Sequence, residues 1–393
     1  MLQAELAPSL GTWNDHLSGA ILTLSERFTR ALDQAPTNYL DEPVLLQAYL
    51  AYYVPVNAAK IAMLLAEMPD IEAQAQQSHD AVRVLELGGG PGTGLLPVLD
   101  WYARQPWRET LRLEIITVDR SIRALEAGSR LSKRLIDRLR LKQVTVQPIQ
   151  ADLEKLVLSH GGFHGVPDGP YDIVMVANCL NELFRRSPDP VQMRMAFLRT
   201  YLEALADSGT CIVLEPALRP VSRDLHRLRD GLVASGACAV YSPCLHDRSC
   251  PALVNPHDWC HEERPWIAPE WVAALDRQVG FIKDALKFSY LLLRKDGKTI
   301  VPRQPNVFRV VSELRTMKGD QRVWLCNDTG RPEVGRLDRE RSETNAAVDV
   351  WHRGAIVRIS EIVRKERKGR EGTVGRIPAT ATVEIIRPIR AFC

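Results

Sequence analysis

Between Pro243 and His261 the chain reads PCLHDRSCPALVNPHDWCH. This places Cys244, Cys250 and Cys260 beside His246, His257 and His261 in one proline-punctuated stretch. Thiols gathered in an irregular loop share a metal, form disulfides or do redox work. The N-terminus carries Glu5 and Asp15 early and shows no basic, apolar-cored leader, so the eight cysteines are expected to stay reduced in a cytoplasmic protein. Cys179 and Cys211 lie in apolar, strand-like runs and read as buried structural cysteines. Cys238 ends a helical segment and Cys393 is the last residue, which leaves Cys244, Cys250, Cys260 and Cys326. The spacing C-x5-C-x9-C lacks the paired C-x2-C knuckles of zinc ribbons. Wide, irregular spacing suits a 4Fe-4S cluster on four cysteines. Zinc on three cysteines plus His246, His257 or His261 is the alternative.

A second stretch carries ligand chemistry of another kind. Glu86-Leu-Gly88-Gly89-Gly90-Pro91-Gly92-Thr93-Gly94 follows the apolar run VRVL and precedes a helix-like segment. Glycines serve where backbone must approach a ligand closely with positive φ. The dinucleotide pattern G-x-G-x-x-G fails here, because its third glycine would fall on Thr93 or Leu95. The string instead resembles motif I of class I S-adenosylmethionine (SAM)-dependent methyltransferases, with Glu86 as the acidic residue and Gly88, Gly90 and Gly92 as the glycines. The resemblance implies that Asp119, closing the second strand, accepts the ribose hydroxyls, and that Asp152 lies near the adenine. Asn178 closes the fourth strand within VANCLNEL, where Asn181 or Glu182 could hold an acceptor group; Asn181 could equally cap the next helix. Asn178 and Glu182 are the candidate catalytic pair. Methyl transfer needs mainly an aligned nucleophile, so the lack of an evident general base is no objection.

These residues need a scaffold, and the hydrophobic period supplies one. Residues 1–80 read as a helical region, with apolar residues three and four apart, interrupted at Pro36 and Pro55. From residue 81 to 298, LEIITVDRS, VTVQPIQADL, YDIVMVANCL, TCIVLEP and KFSYLLLRK are strand-length runs between helix-length segments. That alternation predicts an α/β, doubly wound, Rossmann-like parallel sheet. From 299 to 393 the pieces are short and split by Gly, Asp and Pro, which predicts a small β-rich domain, with an oligonucleotide-binding barrel as one candidate.

With 393 residues, 45% of them hydrophobic, the chain can form two or three globular domains. No apolar run approaches the roughly 20 residues of a membrane span. The net charge of +3 hides a basic tail: residues 351–393 hold ten Lys/Arg against four acids. Such an excess suits a polyanion such as RNA, and equally a solvated surface.

The succession GPGTG, NEL, PCLHDRSCP, DWCH and KFSYLLLR resembles the small-ribosomal-subunit methyltransferase-like family, over about residues 35–330. Its eukaryotic members act in mitochondrial small-subunit assembly. The resemblance implies a four-iron cluster on Cys244, Cys250, Cys260 and the distal Cys326. It implies SAM binding more firmly than methyl transfer, and a small ribosomal subunit or its rRNA as partner. The expected activity is therefore methylation of rRNA or a ribosomal protein by a probable monomer. A non-catalytic RNA-binding assembly factor and a small-molecule methyltransferase are the alternatives.

Overall fold

The apolar runs of the central region pair into one sheet in a computed structural model that describes residues 15–29, 38–72, 80–156, 166–366 and 373–389. Its strands are β1 (Ala81–Leu87), β2 (Arg112–Asp119), β3 (Val144–Gln150), β4 (Tyr171–Ala177), β5 (Leu205–Pro216), β6 (Ala239–Ser242), β7 (Glu262–Pro265) and β8 (Ala285–Arg294). They run in the order β3-β2-β1-β4-β5-β8-β6, with β7 also on β8. The pairs among β1 to β5 are parallel, whereas β8 is antiparallel to β5, β6 and β7. Strand order therefore reverses between β1 and β4, where such sheets open a ligand crevice at their C-terminal ends.

Side-chain alternation splits the core into two layers. Val82, Val84, Ile173, Met175, Ile212 and Leu214 face one side. Leu85, Leu87, Val174, Val176 and Val213 face the other. The first side is covered by the N-terminal helices α1 (Asp15–Thr29), α2 (Pro43–Ala48) and α3 (Val54–Glu67), by α4 (Leu95–Ala103) and by α5 (Ile122–Leu139). Two further helices, α6 (Leu153–Leu156) and α7 (Pro190–Glu203), precede α8 (Arg219–Ala234), and α7 and α8 cover the second side. The N-terminal helices thus share one core with the sheet.

Pro55 does not end its helix. It lies in the first turn of α3, where a missing N–H is no loss, and a π-helical turn at Tyr49–Tyr53 leads into it. Pro36 lies outside the described residues. The stretch Pro43–Glu67 is long and apolar enough to cross a membrane, contrary to the expectation from run length, but 83% of its most apolar window is buried inside the protein.

After α9 (Glu270–Val279) and β8 a second sheet follows: β9 (Val307–Val310), β10 (Arg315–Met317), β11 (Asp320–Cys326), β12 (Glu333–Leu337), β13 (Ile356–Ile359), β14 (Val363–Glu366), β15 (Thr373–Arg376) and β16 (Val383–Arg387). Its order is β14-β15-β12-β11-β9-β13-β16, with β10 on β11. The C-terminal part is thus β-rich, as its short runs predict. It has eight strands, more than the five of an oligonucleotide-binding barrel. It closes around Phe308, Val323, Leu325, Trp351 and Val357.

Candidate functional site

The glycine loop after β1 forms the floor of a cavity of about 320 Å³ at the strand reversal. Gly88 and Gly90 line it, at φ +71° and +53°. A Cβ on Gly88 would fall 2.5 Å from Cys179 Sγ, so no larger residue fits there without displacement. Asp119 also lines the cavity. Its Oδ2 accepts the Gly90 N–H at 2.9 Å and its Oδ1 accepts the Ser121 N–H at 2.8 Å, which fixes the carboxylate against the loop. Burial pushes its carboxyl above the ordinary range.

Glu86 and Gly92 do not line the cavity. Glu86 lies behind the loop, where Oε1 accepts the Gly94 N–H at 2.7 Å. Burial, only partly offset by these backbone donors, pushes its carboxyl up to about 7. Its role is to set the loop's shape, which the acidic position of the motif does not reveal.

Asp152, Asn178 and Glu182 line the opposite wall. Asn178 has φ +55°, and its buried Nδ2 has no hydrogen-bond partner among the described residues. Such a donor calls for a ligand acceptor or an ordered water. Burial raises the Glu182 carboxyl, and Arg185 and Arg120 oppose that shift. Asn181 caps no α-helix, since the N-cap of α7 is Asp189. Its carbonyl instead accepts from Arg185 and Arg194, each at 2.9 Å.

The other wall was not foreseen. Tyr39, Leu40 and Tyr49 from the N-terminal helices close the cavity, and Arg120, Cys179, Arg185 and Arg186 complete it. Asp41 ties this lid down, accepting from Ser121 Oγ at 2.6 Å while its carbonyl accepts from Arg123 at 2.9 Å. Tyrosines at helical spacing read as core, so only the three-dimensional packing shows them facing a ligand space.

Cys244, Cys250, Cys260 and Cys326 line a second, smaller cavity of about 40 Å³. Three loop cysteines and the end of β11, in the second sheet, thus meet at one cavity, as the spacing alone could not require. His246 and His261 line it too, whereas His257 is exposed and does not. Cys326 Sγ lies 3.6 Å from His246 Nε2. The Arg248 carbonyl can only accept, so His246 Nδ1, 3.1 Å from it, carries the proton and Nε2 presents a lone pair to Cys326. Burial pushes the Cys250 thiol up to about 12 and raises those of Cys260 and Cys326. Among the described residues no group of three or more His, Cys, Asp or Glu side chains could hold a metal ion.

One face of α8 organises this loop. Arg223 donates to the carbonyls of Ala252, Leu253, Asn255 and Asp258 at 2.7–3.2 Å. Arg229 donates to those of His246 and Arg248. Asp230 accepts the Cys250 N–H at 2.8 Å, and His226 Nε2 accepts the Cys260 N–H at 3.1 Å. The buried parts of an irregular loop need such partners for their backbone. None of them sits near the cysteines in sequence.

Residues 46–337 match the family described as mitochondrial small ribosomal subunit Rsm22. The chain belongs to this family. No curated protein matches its sequence. Among solved structures, the CcbJ methyltransferase from Streptomyces caelestis is 22% identical, with 41% of this chain and 52% of that one covered and a TM-score of 0.27. The match thus spans about half of that enzyme. An O-methyltransferase family protein from Burkholderia thailandensis is 16% identical, covering 76% and 70%, at TM-score 0.33. A putative class I SAM-dependent methyltransferase from Listeria monocytogenes is 14% identical, covering 74% and 71%, at 0.35. At these scores the neighbours add nothing to what the sheet order gives.

The basic tail is partly spent inside the fold. Arg353 pairs with Glu263 at 3.4 Å, Arg358 with Glu384 at 2.5 Å and Arg376 with Asp320 at 2.7 Å. Arg367, Lys368, Arg370 and Arg390 lie outside the described residues.

Proposed function

We propose that this family member binds SAM in the cavity at the strand reversal and acts on the small ribosomal subunit. The observation that supports it best is the convergence of Gly88, Gly90, Asp119, Asp152 and Asn178 on that one cavity. Asp119 would meet the ribose, and the free amide of Asn178 would meet the donor or the acceptor. Glu182 would orient an acceptor amine or hydroxyl in line with the methyl group. The family's description supplies the partner, and rRNA or a ribosomal protein is the acceptor class.

Calorimetry with the donor and its demethylated product, followed by tritium transfer to purified small subunits, tests this reading. Micromolar donor binding with label in the subunit supports it; a cavity that ignores the donor defeats it. Binding without transfer favours a non-catalytic assembly factor. Sedimentation with subunits, and fractionation of cells, test the monomeric and cytoplasmic expectations. Label on a metabolite alone would instead favour a small-molecule methyltransferase.

The second part of the proposal is a 4Fe-4S cluster on Cys244, Cys250, Cys260 and Cys326. The donor set supports it: four soft thiols line one small cavity. Zinc on three of these thiols and His246 or His261, which line the same cavity, is the alternative. A fully cysteine-ligated cluster supplies structural cross-linking or electron storage, without an open site for substrate. Iron content and the visible spectrum of anaerobically purified protein decide between cluster and zinc.

A further inference from the structure

Arg309 and Cys326 are cross-strand partners in the β9/β11 pair, so their side chains share one face of the sheet. Arg309 is 3% exposed and lines the cysteine cavity with Cys326. Glu262, which lines the same cavity, holds its guanidinium: Oε1 accepts from Nε at 3.1 Å and from Nη2 at 2.8 Å, and Nη2 also reaches Tyr290 Oη at 3.1 Å. Its buried Nη1 has no hydrogen-bond partner among the described residues.

Arg331 repeats the pattern. It lines the same cavity, pairs with Asp258, and keeps a buried, unpartnered Nε. Its guanidinium also stacks 5.3 Å over the Trp324 ring, which fixes its plane. Arg229 stands behind the loop with Asp230 at 2.6 Å, and its Nε is likewise unpartnered. Leaving one buried N–H unmade costs about 1–3 kcal/mol. Two such groups, on the two arginines that line the thiol cavity, point to an acceptor that belongs there.

We propose that Arg309 and Arg331 donate hydrogen bonds to the sulfur atoms of the tetrathiolate cluster, and so set its retention and its reduction potential. This rests on the cluster reading above. Four thiolates outweigh the positive charge of a cubane core, so the bound group is an anion rich in sulfur acceptors. The guanidinium fork suits it, because its flat N–H array stays charged and rigid in a buried site. The partner carboxylates, Glu262 and Asp258, do two things: they orient each fork and balance its charge. N–H···S contacts stabilise the more negative, reduced cluster most, so removing them drives the potential down.

The experiment compares wild type, R331M and R331M/D258N, each purified anaerobically as the full chain. The double variant removes the partner carboxylate, so it folds without a stranded charge. Circular dichroism establishes folding, iron content the starting load, redox titration by visible absorption the potential, and chelator challenge the rate of iron loss. The expected result is a more negative potential and at least a several-fold faster iron loss in both variants. R331K, which keeps the charge but not the fork, should fall between. Wild-type potential and iron retention in folded R331M and R331M/D258N would overturn the inference while leaving the cluster intact. Wild-type protein without iron would overturn the cluster reading and this inference with it.

Discussion

Arg309 donates from Nη2 to Glu262 Oε1 at 2.8 Å, and this contact joins the second sheet to the strand that follows the cysteine loop. The other Glu262 oxygen accepts from Arg264 Nε at 2.8 Å, and Arg264 Nη2 reaches Glu67 at 2.7 Å on α3. Glu67 also accepts from Tyr290 and Ser242. A single buried chain of charges therefore crosses the N-terminal helices, the central sheet and the C-terminal sheet. Gly354 closes over it, since a Cβ there would fall 2.3 Å from Glu262 Oε2.

E262Q should therefore destabilise the protein strongly. It strands Arg309 in a buried site, while Arg264 keeps Glu67, and removing one partner of such a pair costs about 3–5 kcal/mol. Denaturant unfolding should show a free energy lowered by that amount, with loss of cooperativity between the two sheets. A change below about 1 kcal/mol would mean that water already reaches the pair.

The pH profile of stability carries a second signature. Glu86 has its carboxyl pushed from 4.5 up to about 7, chiefly by burial. Below the unfolded value both states hold the proton and the effect vanishes. Between 4.5 and about 7 only the folded chain holds it. Stability therefore falls as pH rises through that window, by about 3 kcal/mol in all, and is level above it. Glu215, pushed up to about 8, adds a fall of the same sign that extends to higher pH. E86Q keeps an acceptor for the Gly94 N–H and should flatten the Glu86 part of the slope. Unfolding midpoints measured from about pH 5 to 8 check this. An unchanged slope in E86Q would assign the whole pH effect to other groups.

Donor affinity gives a third check. Asp119 would accept the ribose hydroxyls, and hydrogen bonds to a charged group contribute about 1.5–3 kcal/mol. D119A should weaken SAM binding by roughly 10- to 100-fold in calorimetry, by the usual tenfold per 1.4 kcal/mol. G90A should weaken it as well, because its φ of +53° strains any Cβ and the methyl enters the donor's space. Wild-type affinity in D119A would remove this carboxylate from the binding site.

The sheet was legible because its apolar runs alternate with helical ones at a fixed rhythm, and the glycine loop because close approach admits so few residue types. Asp119, Asp152 and Asn178 followed from their places at strand ends. What stayed hidden had no local signature. Tyr39 and Tyr49 look like any helix's apolar stripe until the lid is folded over the loop. Arg223, His226, Arg229 and Asp230 serve the cysteine loop only because α8 packs beside it. Nor does the basic tail's charge count reveal that Arg353, Arg358 and Arg376 pair with carboxylates of the chain itself.

The distal cysteine offers the last prediction. Cys326 ends β11, in the second sheet, yet lines one cavity with three thiols of the loop before β7. A cluster bound there would cross-link two parts of the chain that also meet through the Glu262–Arg309, Glu263–Arg353 and Asp258–Arg331 pairs and a small apolar patch of Leu245, Val301, Val307 and Ile356. Ligand binding to the folded state adds directly to its stability. Serine is a harder and weaker ligand than a thiolate for iron. C326S should therefore lower iron content and expose the connection between β8 and β9 to protease, while leaving SAM affinity in the distant cavity unchanged. Iron content and protease resistance equal to wild type would show that the second sheet is held without the fourth thiol.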